Sequence, residues 1–325
     1  MNIENVFSFE SLHRAYLDAR TCKRFRGDIL EFGFSAEENI LALQKELFSG
    51  AYCHGGYRTF ILTDSKKRTI EVAPFRDRVV HHAVVAAIEP EFERTFIFDS
   101  YACRRNKGTH AAFRRTRSFA RRVSRNFSRP AYMIQCDITK YFNSVDHAIL
   151  FSLIKKKIKN ETILRVVSEI IRSKPGERGI PIGNLTSQLF ANIYLNELDH
   201  FVKHRLGARF YVRYMDDFLL FHESPRVLAA WKAMVQKFLA EKLLLTLHRK
   251  RSGIQPVSMV DFLGYVLFPH YTLLRKSSVR RIVQKIKRGD CSLDSVAAWN
   301  GYMKHADTFL LRKKLKKIQC AQLMI

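Results

Sequence analysis

The order of hydrophobic and polar positions predicts helices and strands in an irregular mixture. Apolar residues recur every three or four positions in ILALQKELF, RVVHHAVVAAIEPEFE and LTSQLFANIYLNELDHFVKHRL, which predicts helices. Shorter apolar or alternating runs predict strands in YRTFILTD, KRTIEVAPF, AYMIQCDI and RFYVRYMDDFLLFHES, the last as a β-hairpin with acidic residues at its tip. Because the two kinds of element do not alternate regularly, the pattern favours an α+β fold over a doubly wound parallel sheet.

Local signals refine this outline. Ser35 and Glu38 form a capping-box pattern before a helix that Gly50 is expected to end. A polar turn at Asp64 to Lys67 separates the first two predicted strands. LLTLH is predicted as a short strand, DFLGYVLF as a single strand, and the residues after 270 as basic helices.

Composition adds a strong charge signal. The chain has 325 residues, 47% of them hydrophobic, which suffices for a large core of about two domains. Lys and Arg number 56 against 30 Asp and Glu, a net charge of +26 that predicts a polyanionic partner, most readily a nucleic acid. The alternative is a basic protein that is merely soluble. An acidic membrane surface is less favoured because the charge is spread along the chain.

The location is predicted from what the sequence lacks. No apolar run reaches the ~18 residues of a membrane span, and no signal-peptide pattern is visible. The six cysteines form no C-x-x-C pair, which disfavours a zinc knuckle or a disulfide scaffold. We therefore expect a cytoplasmic protein without a membrane partner.

Three carboxylates are the main candidates for chemistry. Asp137 ends an apolar strand, and Asp216 and Asp217 are adjacent within YVRYMDDFLLF. Neighbouring carboxylates repel each other, and a divalent cation relieves that repulsion. Mg²⁺ commonly binds one or two carboxylates together with substrate phosphates, so the set suits two-metal phosphoryl transfer. The alternative is an ordinary Asp-rich turn, against which the full YMDD string weighs.

Four ordered blocks resemble reverse transcriptases: QCDITKYFNSVD, GIPIGNLTSQLFANIYL, YMDDFLLF and FLGY. Further stretches, PIGNLTSQLFAN, APFRDRVVHHAV, SYACRRNKGTHAA and LLRKSSVRR, resemble the reverse transcriptases of diversity-generating retroelements. The resemblance implies a right-hand polymerase fold: fingers with part of the palm in residues 1–130, a palm with an antiparallel sheet in 131–269, and a basic helical thumb in 270–325.

The resemblance also implies an activity and partners. The expected reaction is RNA-directed DNA polymerisation that copies a template-repeat RNA into cDNA, with errors opposite template adenine that diversify a target gene. Expected partners are template RNA, the cDNA or primer, dNTPs and a small basic pentameric accessory protein. Two alternatives stay open: a retron, defence or intron-derived reverse transcriptase of ordinary fidelity, and a catalytically silent RNA-binding scaffold.

Roles for single residues follow from the same resemblance. Asp137, Asp216 and Asp217 are expected to be catalytic and to hold two Mg²⁺, for which Mn²⁺ could substitute, with the Ile138 carbonyl as a further ligand. Phe142 resembles an aromatic gate against the ribose 2′-hydroxyl, although a core Phe is the simpler alternative without the alignment. The remaining nucleotide-binding candidates are Arg68, Ile182 and Gln188, with Ser187 and the turn lysines Lys66 and Lys67 as weaker ones.

The primer and template candidates lie in three segments. The list is Arg104, Lys107, Phe262, Leu263, Gly264, Tyr265, Arg275, Lys276 and Arg280. The first two lie in a basic loop, the next four resemble a primer grip, and the last three open the predicted thumb. A charge run is usually a solvated face, but here it is one-signed and follows the primer-grip block, which favours phosphate tracking.

Ile182 departs from most relatives, which carry Pro-Gln-Gly where this chain has Pro181-Ile182-Gly183. The Gln amide of those relatives helps to hold the incoming nucleotide, and Ile182 offers no such hydrogen bond. We hypothesise that this change loosens base selection. The alternative is a neutral packing substitution.

Overall fold

The computed structural model describes residues 5–63, 67–248, 252–289 and 292–322. These residues form two compact units, and the chain passes between them repeatedly. The first unit holds the described residues of Met1–Phe98, Asp137–Gly207 and Met234–His248, and the second holds those of Asp99–Cys136, Ala208–Ala233 and Arg249–Ile325. The predicted fingers, palm and thumb boundaries remain predictions.

The first unit is mainly helical. Its helices are α1 (Phe9–Arg20), α2 (Gly27–Phe34), α3 (Ala36–Ser49), α4 (Phe75–Glu93), α6 (Tyr141–Ser144), α7 (His147–Lys157), α8 (Glu161–Arg172) and α9 (Leu185–His200), the last continued by a π-helical turn, Phe201–Arg205. An antiparallel hairpin joins β1 (Arg58–Thr63) to β2 (Lys67–Val72). The α4 and α9 helices bury most of their circumference, which explains their long apolar sequences.

The second unit is built on a four-stranded sheet. Its strands are β3 (Tyr132–Asp137, whose last residue counts with the first unit), β4 (Phe210–Tyr214), β5 (Asp217–His222) and β6 (Ile254–Pro256), in the order β4-β5-β3-β6. Helix α5 (Thr109–Val123) packs on β4 and β5, and Phe113, Phe119, Leu219 and Phe221 belong to the core formed there. Helix α10 (Pro225–Leu243) starts in this unit and ends in the first.

The second unit continues with a small sheet and three helices. The strands β7 (Val260–Phe262), β8 (Tyr265–Leu267) and β9 (Thr272–Leu274) pair antiparallel in that order. The helices are α11 (Lys276–Lys287), α12 (Leu293–Met303) and α13 (Phe309–Gln322). The mixture of helices and antiparallel strand pairs confirms the predicted α+β class. Within the described ranges, none of the helices is long and apolar enough to cross a bilayer.

Several local predictions differ from the structure. The residues after 270 are not all helical, because Thr272–Leu274 form strand β9 and pair with β8. The stretch DFLGYVLF is not one strand but a hairpin, because Leu263 and Gly264 have positive φ angles of 52° and 85° and form a two-residue turn. In LLTLH only Leu247 pairs, through an isolated bridge to Ile138. Ser35 is the N-cap residue of α3, but its side chain makes no capping hydrogen bond.

Other local predictions are confirmed. Gly50 ends α3 in the left-handed conformation, with φ 82°. The β4–β5 hairpin has the predicted acidic tip. The predicted turn residues 64–66, including Lys66, lie outside the described part of the chain.

Candidate active site

The β4–β5 hairpin presents the paired carboxylates at its tip. Tyr214 pairs with Asp217 across the hairpin, so Met215 and Asp216 form the connection. Met215 has a φ of 57°, in the left-handed region that side chains other than Gly, Asn and Asp rarely adopt. Asp216 and Asp217 are both half-buried, so they can meet a ligand from solvent while their backbone is held by the sheet.

Arg213 supports this strained turn from inside the protein. Its side chain is fully buried, and its Nη1 donates a hydrogen bond to the Met215 carbonyl at 3.2 Å. Its amide donates to the Asp99 carbonyl at 2.9 Å, and its carbonyl accepts from the Tyr101 amide at 3.0 Å. The backbone before the carboxylates is therefore held by the segment Asp99–Tyr101. Sequence reasoning missed Arg213, although a cation within an apolar strand was a visible signal.

Gln135 connects the hairpin to the neighbouring strand β3. Its Nε2 donates to both carboxylate oxygens of Asp217, at 2.9 and 3.0 Å. Side chains alternate along a strand, so Gln135 and Asp137 project from the same face of β3. β3 lies beside β5 in the sheet, and its last residue, Asp137, counts with the first unit. Gln135 was also missed from the sequence.

Cys136 lies between these two polar residues but faces the core. It is fully buried, and burial raises the pKa of its thiol to about 12. A thiol with that pKa stays protonated near neutral pH and is a poor nucleophile or metal ligand. Cys136 is therefore not a candidate for the chemistry of this strand.

The donor set suits Mg²⁺ only together with a substrate. Among the described residues, no group of three or more His, Cys, Asp or Glu side chains is already arranged to hold a metal. Two half-buried carboxylates at an accessible tip are nevertheless the ligands that Mg²⁺ uses when phosphates supply the remaining oxygens. Asp216 and Asp217 therefore fit ions that arrive with a nucleotide.

The nucleotide-binding candidates lie in the first unit, where backbone hydrogen bonds hold two of them to other segments. The Phe142 carbonyl accepts from the Ile180 amide at 2.8 Å, and the Ile182 carbonyl accepts from the Glu71 amide of β2 at 2.9 Å. Phe142 and Ile182 are half-buried. Arg68 lies three residues before Glu71, on the exposed part of β2.

The start of α9 contains two unusual buried polar groups. Asn184 Nδ2 and Thr186 Oγ1 are buried and have no hydrogen-bond partner among the described residues. Gln188 is exposed on the first turn of the same helix, whereas Ser187 is buried. Unsatisfied buried polar atoms are costly and call for a functional or solvent partner. Sequence reasoning missed both.

The candidates of the basic loop are partly engaged by the protein itself. Arg104 Nη1 donates to the Ser100 carbonyl at 2.8 Å, and the Lys107 ammonium lies 5.0 Å from the centre of the Tyr101 ring. Both side chains are half-buried. Any contact with phosphate therefore competes with these internal contacts.

The primer-grip candidates have mixed environments. Phe262 and Tyr265 are fully buried, and the Tyr265 hydroxyl donates to the Tyr302 carbonyl at 2.9 Å. A Cβ on Gly264 would overlap the Tyr302 hydroxyl, so only glycine fits there. Of these four residues, Leu263 is the one that reaches the surface appreciably.

The thumb candidates also differ in how far contacts within the protein already engage their side chains. Arg275 Nη2 forms an ion pair with Asp261 at 2.6 Å, so its guanidinium is partly used within the small sheet. Lys276 and Arg280 are exposed on α11, whose opposite face buries Ile282 and Ile286. Lys276 and Arg280 therefore remain available to a polyanion.

The fold resembles a telomerase structure from Candida tropicalis with a TM-score of 0.53 at 12% identity, covering 74% of this chain and 60% of that chain. A family model described as reverse transcriptase (RNA-dependent DNA polymerase) matches residues 62–267, more than half of the chain. The chain belongs to the reverse transcriptase family.

Two curated relatives show where the similarity lies. Protein YkfC of Escherichia coli is 28% identical over 173 residues, which cover 50% of this chain and 45% of that protein. The group II intron-encoded protein LtrA of Lactococcus lactis is 30% identical over 181 residues, covering 52% of this chain and 29% of that protein. The matched part of this chain thus spans less than half of either relative.

Proposed function

We propose that this chain is an RNA-directed DNA polymerase that adds nucleotides to a primer along an RNA template. The observation that carries the proposal is the YMDD hairpin, in which Asp217 is hydrogen-bonded by Gln135 of the strand that ends at Asp137. Family membership supports this assignment. The excess of Lys and Arg over Asp and Glu suits binding of the phosphates of both the RNA template and the DNA primer.

The residue roles follow from chemistry. Asp137, Asp216 and Asp217, with the Ile138 carbonyl, would hold the divalent ions. Bound Mg²⁺ supplies charge neutralisation at the reacting phosphate and at the attacking hydroxyl. Arg213 and Gln135 fix the hairpin backbone and the orientation of Asp217, so the carboxylates need little reorganisation when substrate arrives.

The nucleotide roles are proposed for the first unit. Phe142 would exclude the ribose 2′-hydroxyl, Arg68 would bind the triphosphate, and Gln188 would position the base or the template strand. Ile182 would contact the nucleotide without a hydrogen bond. The link from Ile182 to β2 supports this grouping, because it joins the loop to the strand that carries Arg68.

The finer proposal is the mutagenic polymerase of a diversity-generating retroelement. The motifs around Ile182 support it, together with the departure from Pro-Gln-Gly. Such an enzyme copies a template-repeat RNA with errors opposite adenine and works with a small basic pentameric accessory protein. A second candidate is an intron-related reverse transcriptase of ordinary fidelity, which the similarity to LtrA favours.

The test is primer extension on a defined RNA template with Mg²⁺ and all four dNTPs, followed by sequencing of the cDNA. We expect the wild-type chain to extend the primer and Asp216→Asn to lose at least about 100-fold of the rate. The matched control is Glu241→Gln, which removes an exposed carboxylate from α10 and should leave the rate unchanged.

Each outcome separates the candidates. Errors concentrated opposite template adenine support the retroelement enzyme, whereas evenly low errors support the intron-related one. Equal extension by wild type and Asp216→Asn contradicts the assigned catalytic site. Failure of the wild type with accessory protein and cognate RNA supplied favours a silent RNA-binding scaffold.

A further inference from the structure

One stretch of the second unit has an unusual charge composition that the catalytic assignment does not use. Residues 100–136 contain nine Arg and one Lys but no Asp or Glu. Like charges that lie close together repel one another, and an oppositely charged partner relieves this repulsion. This stretch includes α5 and the turn that follows it.

Helix α5 divides its residues sharply between two faces. Phe113, Phe119 and Val123 are among the residues of the buried face, which packs on β4 and β5. Arginines occupy the other face and continue into the following turn, and all of them are exposed. We call this set the α5 arginine face: Arg114, Arg117, Arg121, Arg122, Arg125 and Arg129. Because the buried face meets the strands, the α5 arginine face is turned away from the sheet.

The end of the α5 arginine face is held in a defined conformation. Arg125, Asn126 and Phe127 have φ angles of 47°, 59° and 65°, so three successive residues are left-handed. The Phe127 amide donates to Ser124 Oγ at 2.9 Å, and the Arg129 amide donates to the Ser124 carbonyl at 3.0 Å. The backbone that carries Arg125 and Arg129 is therefore ordered before any partner binds, which lowers the entropic cost of binding.

The α5 arginine face has no internal counter-charge in the part of the chain that the structure describes. None of its six guanidinium groups forms an ion pair with a described carboxylate. The contrast is Arg115 on the same helix, whose Nε donates to Asp99 at 2.7 Å. Arginine is also the residue that binds phosphates in a bidentate manner, whereas lysine acts as a point charge.

The face lacks the feature that unpaired nucleotides need. Proteins bind single strands by stacking bases on exposed aromatic rings. Here Phe113 and Phe119 are buried, and Phe127 is half-buried. Contacts with the phosphate backbone of a duplex need no such ring.

From these observations we infer that the α5 arginine face binds the phosphate backbone of a base-paired RNA stem. The choice of RNA over DNA, and the origin of the stem as a folded part of the RNA that is copied, rest on the proposed function. A stem held there lies on the side of α5 away from β4 and β5, whereas Asp216 and Asp217 lie at the tip of that hairpin. The face therefore anchors the RNA without taking part in the chemistry.

The experiment compares two triple variants of the full-length chain. R114Q/R117Q/R121Q removes three charges from the α5 arginine face, and K155Q/K156Q/K157Q removes three exposed charges at the end of α7. The probe is a labelled RNA hairpin with a stem of about 16 base pairs and no extendable end. Its dissociation constant is measured over a range of salt concentrations, beside a DNA hairpin and an unpaired RNA of equal length.

We expect the α5 variant to bind the RNA hairpin about tenfold more weakly or worse, and its salt slope to fall by about 3, since each lost phosphate contact lowers the slope by about 1. The α7 variant should bind like wild type. R114K/R117K/R121K should recover only part of the affinity, because the charge stays and the guanidinium fork is lost. Circular dichroism of each variant verifies that it is folded.

The inference is overturned if both glutamine variants weaken binding equally, or if the α5 variant weakens the unpaired RNA as much as the hairpin. An equal loss for the DNA hairpin would overturn the assignment of the stem to RNA. Extension of a short annealed primer on an unstructured template should be unchanged in the α5 variant. Loss of hairpin binding in a chain that extends no primer at all would contradict the polymerase proposal and leave this inference intact.

Discussion

Single polar side chains inside the second unit determine the geometry of the carboxylate turn. Arg213 is the clearest case, since a fully buried guanidinium donates to the carbonyl of a left-handed Met215. A left-handed non-glycine residue is unfavourable by about 1–2 kcal/mol, so the turn needs support from its surroundings. The buried cation also lies three and four residues before two carboxylates that repel each other.

Replacing Arg213 by Met should therefore affect both stability and chemistry. We expect the free energy of unfolding to fall by about 1–3 kcal/mol, because the Met215 carbonyl loses a buried donor. We also expect the apparent affinity for Mg²⁺ in primer extension to weaken, since the carboxylates are no longer held. Denaturant unfolding and a Mg²⁺ titration measure the two effects. Arg213→Lys, which keeps a cation, should recover part of both, and an unchanged Mg²⁺ dependence would contradict a positioning role.

At the same scale, substitutions of Ile182 test how the incoming base is selected. We expect Ile182→Gln to lower misincorporation opposite template adenine by several-fold, because an amide restores a hydrogen bond to the nucleotide; a single such bond is typically about 1 kcal/mol. Sequencing of cDNA from one template gives the error spectrum. Ile182→Leu, which stays apolar, is the matched control and should keep the wild-type spectrum. Identical spectra for all three chains would mean that Ile182 is a packing residue.

At the scale of elements, a pair of histidines, His54 and His81, holds the segment that leads into β1 against α4. His54 Nδ1 lies 2.6 Å from the Gly55 carbonyl and so carries the proton, which leaves its Nε2 to accept from His81 Nε2 at 3.1 Å. His81 Nδ1 is buried without a hydrogen-bond partner among the described residues. The Gly55 amide donates to Asp77 at 3.0 Å, which ties the segment to α4.

This pair predicts a loss of stability in mild acid. Burial, followed by the neighbouring His54, lowers the pKa of His81 from its ordinary 6.5 to about 3. Between these two pH values His81 is protonated in the unfolded chain but not in the folded chain. The free energy of unfolding therefore falls as the pH decreases from about 6.5 towards about 3. His81→Leu should make the urea midpoint less dependent on pH over that interval.

The control for this prediction is a histidine on the surface. His270 is exposed, and His270→Leu should retain the wild-type pH dependence. If both substitutions left the same slope, the acid sensitivity would come from other groups.

At the scale of the whole molecule, the net charge of +26 makes nucleic-acid binding an electrostatic process. We expect the affinity for an RNA–DNA primer–template to fall by about 10³-fold or more between 50 and 200 mM salt, as for proteins with six to ten phosphate contacts. Filter binding or fluorescence anisotropy measures this. A loss below about tenfold would contradict a large phosphate footprint.

The same measurement tests α11. Lys276, Arg280 and Lys285 are exposed on this helix, and their replacement by Gln should lower the salt slope by about 3. The α7 triple-glutamine variant again serves as the control of equal charge. An unchanged slope for the α11 variant would identify this basic run as a solvated face.

Local pattern determined much of the architecture. The β4–β5 hairpin with its acidic tip, the strand ending at Asp137 and the buried helix α9 all follow from runs of neighbouring residues. The carboxylates were visible for the same reason, since adjacent acids within an apolar strand need a local explanation. Gly50 ended α3 as predicted because a left-handed C-cap depends on one residue.

Contacts between distant residues decided the rest. Tyr265 is a core residue because Phe113 and Tyr302, far away in sequence, pack on it, and Phe262 belongs to the same core. Gly264 is required because the Tyr302 hydroxyl fills the space beside it. Arg275 pairs with Asp261 across the small sheet. No periodicity encodes such contacts, since each depends on a partner that only the folded chain brings near. The sequence by itself thus determined the elements and the acidic residues, and tertiary packing determined which polar groups hold them and which basic groups stay exposed.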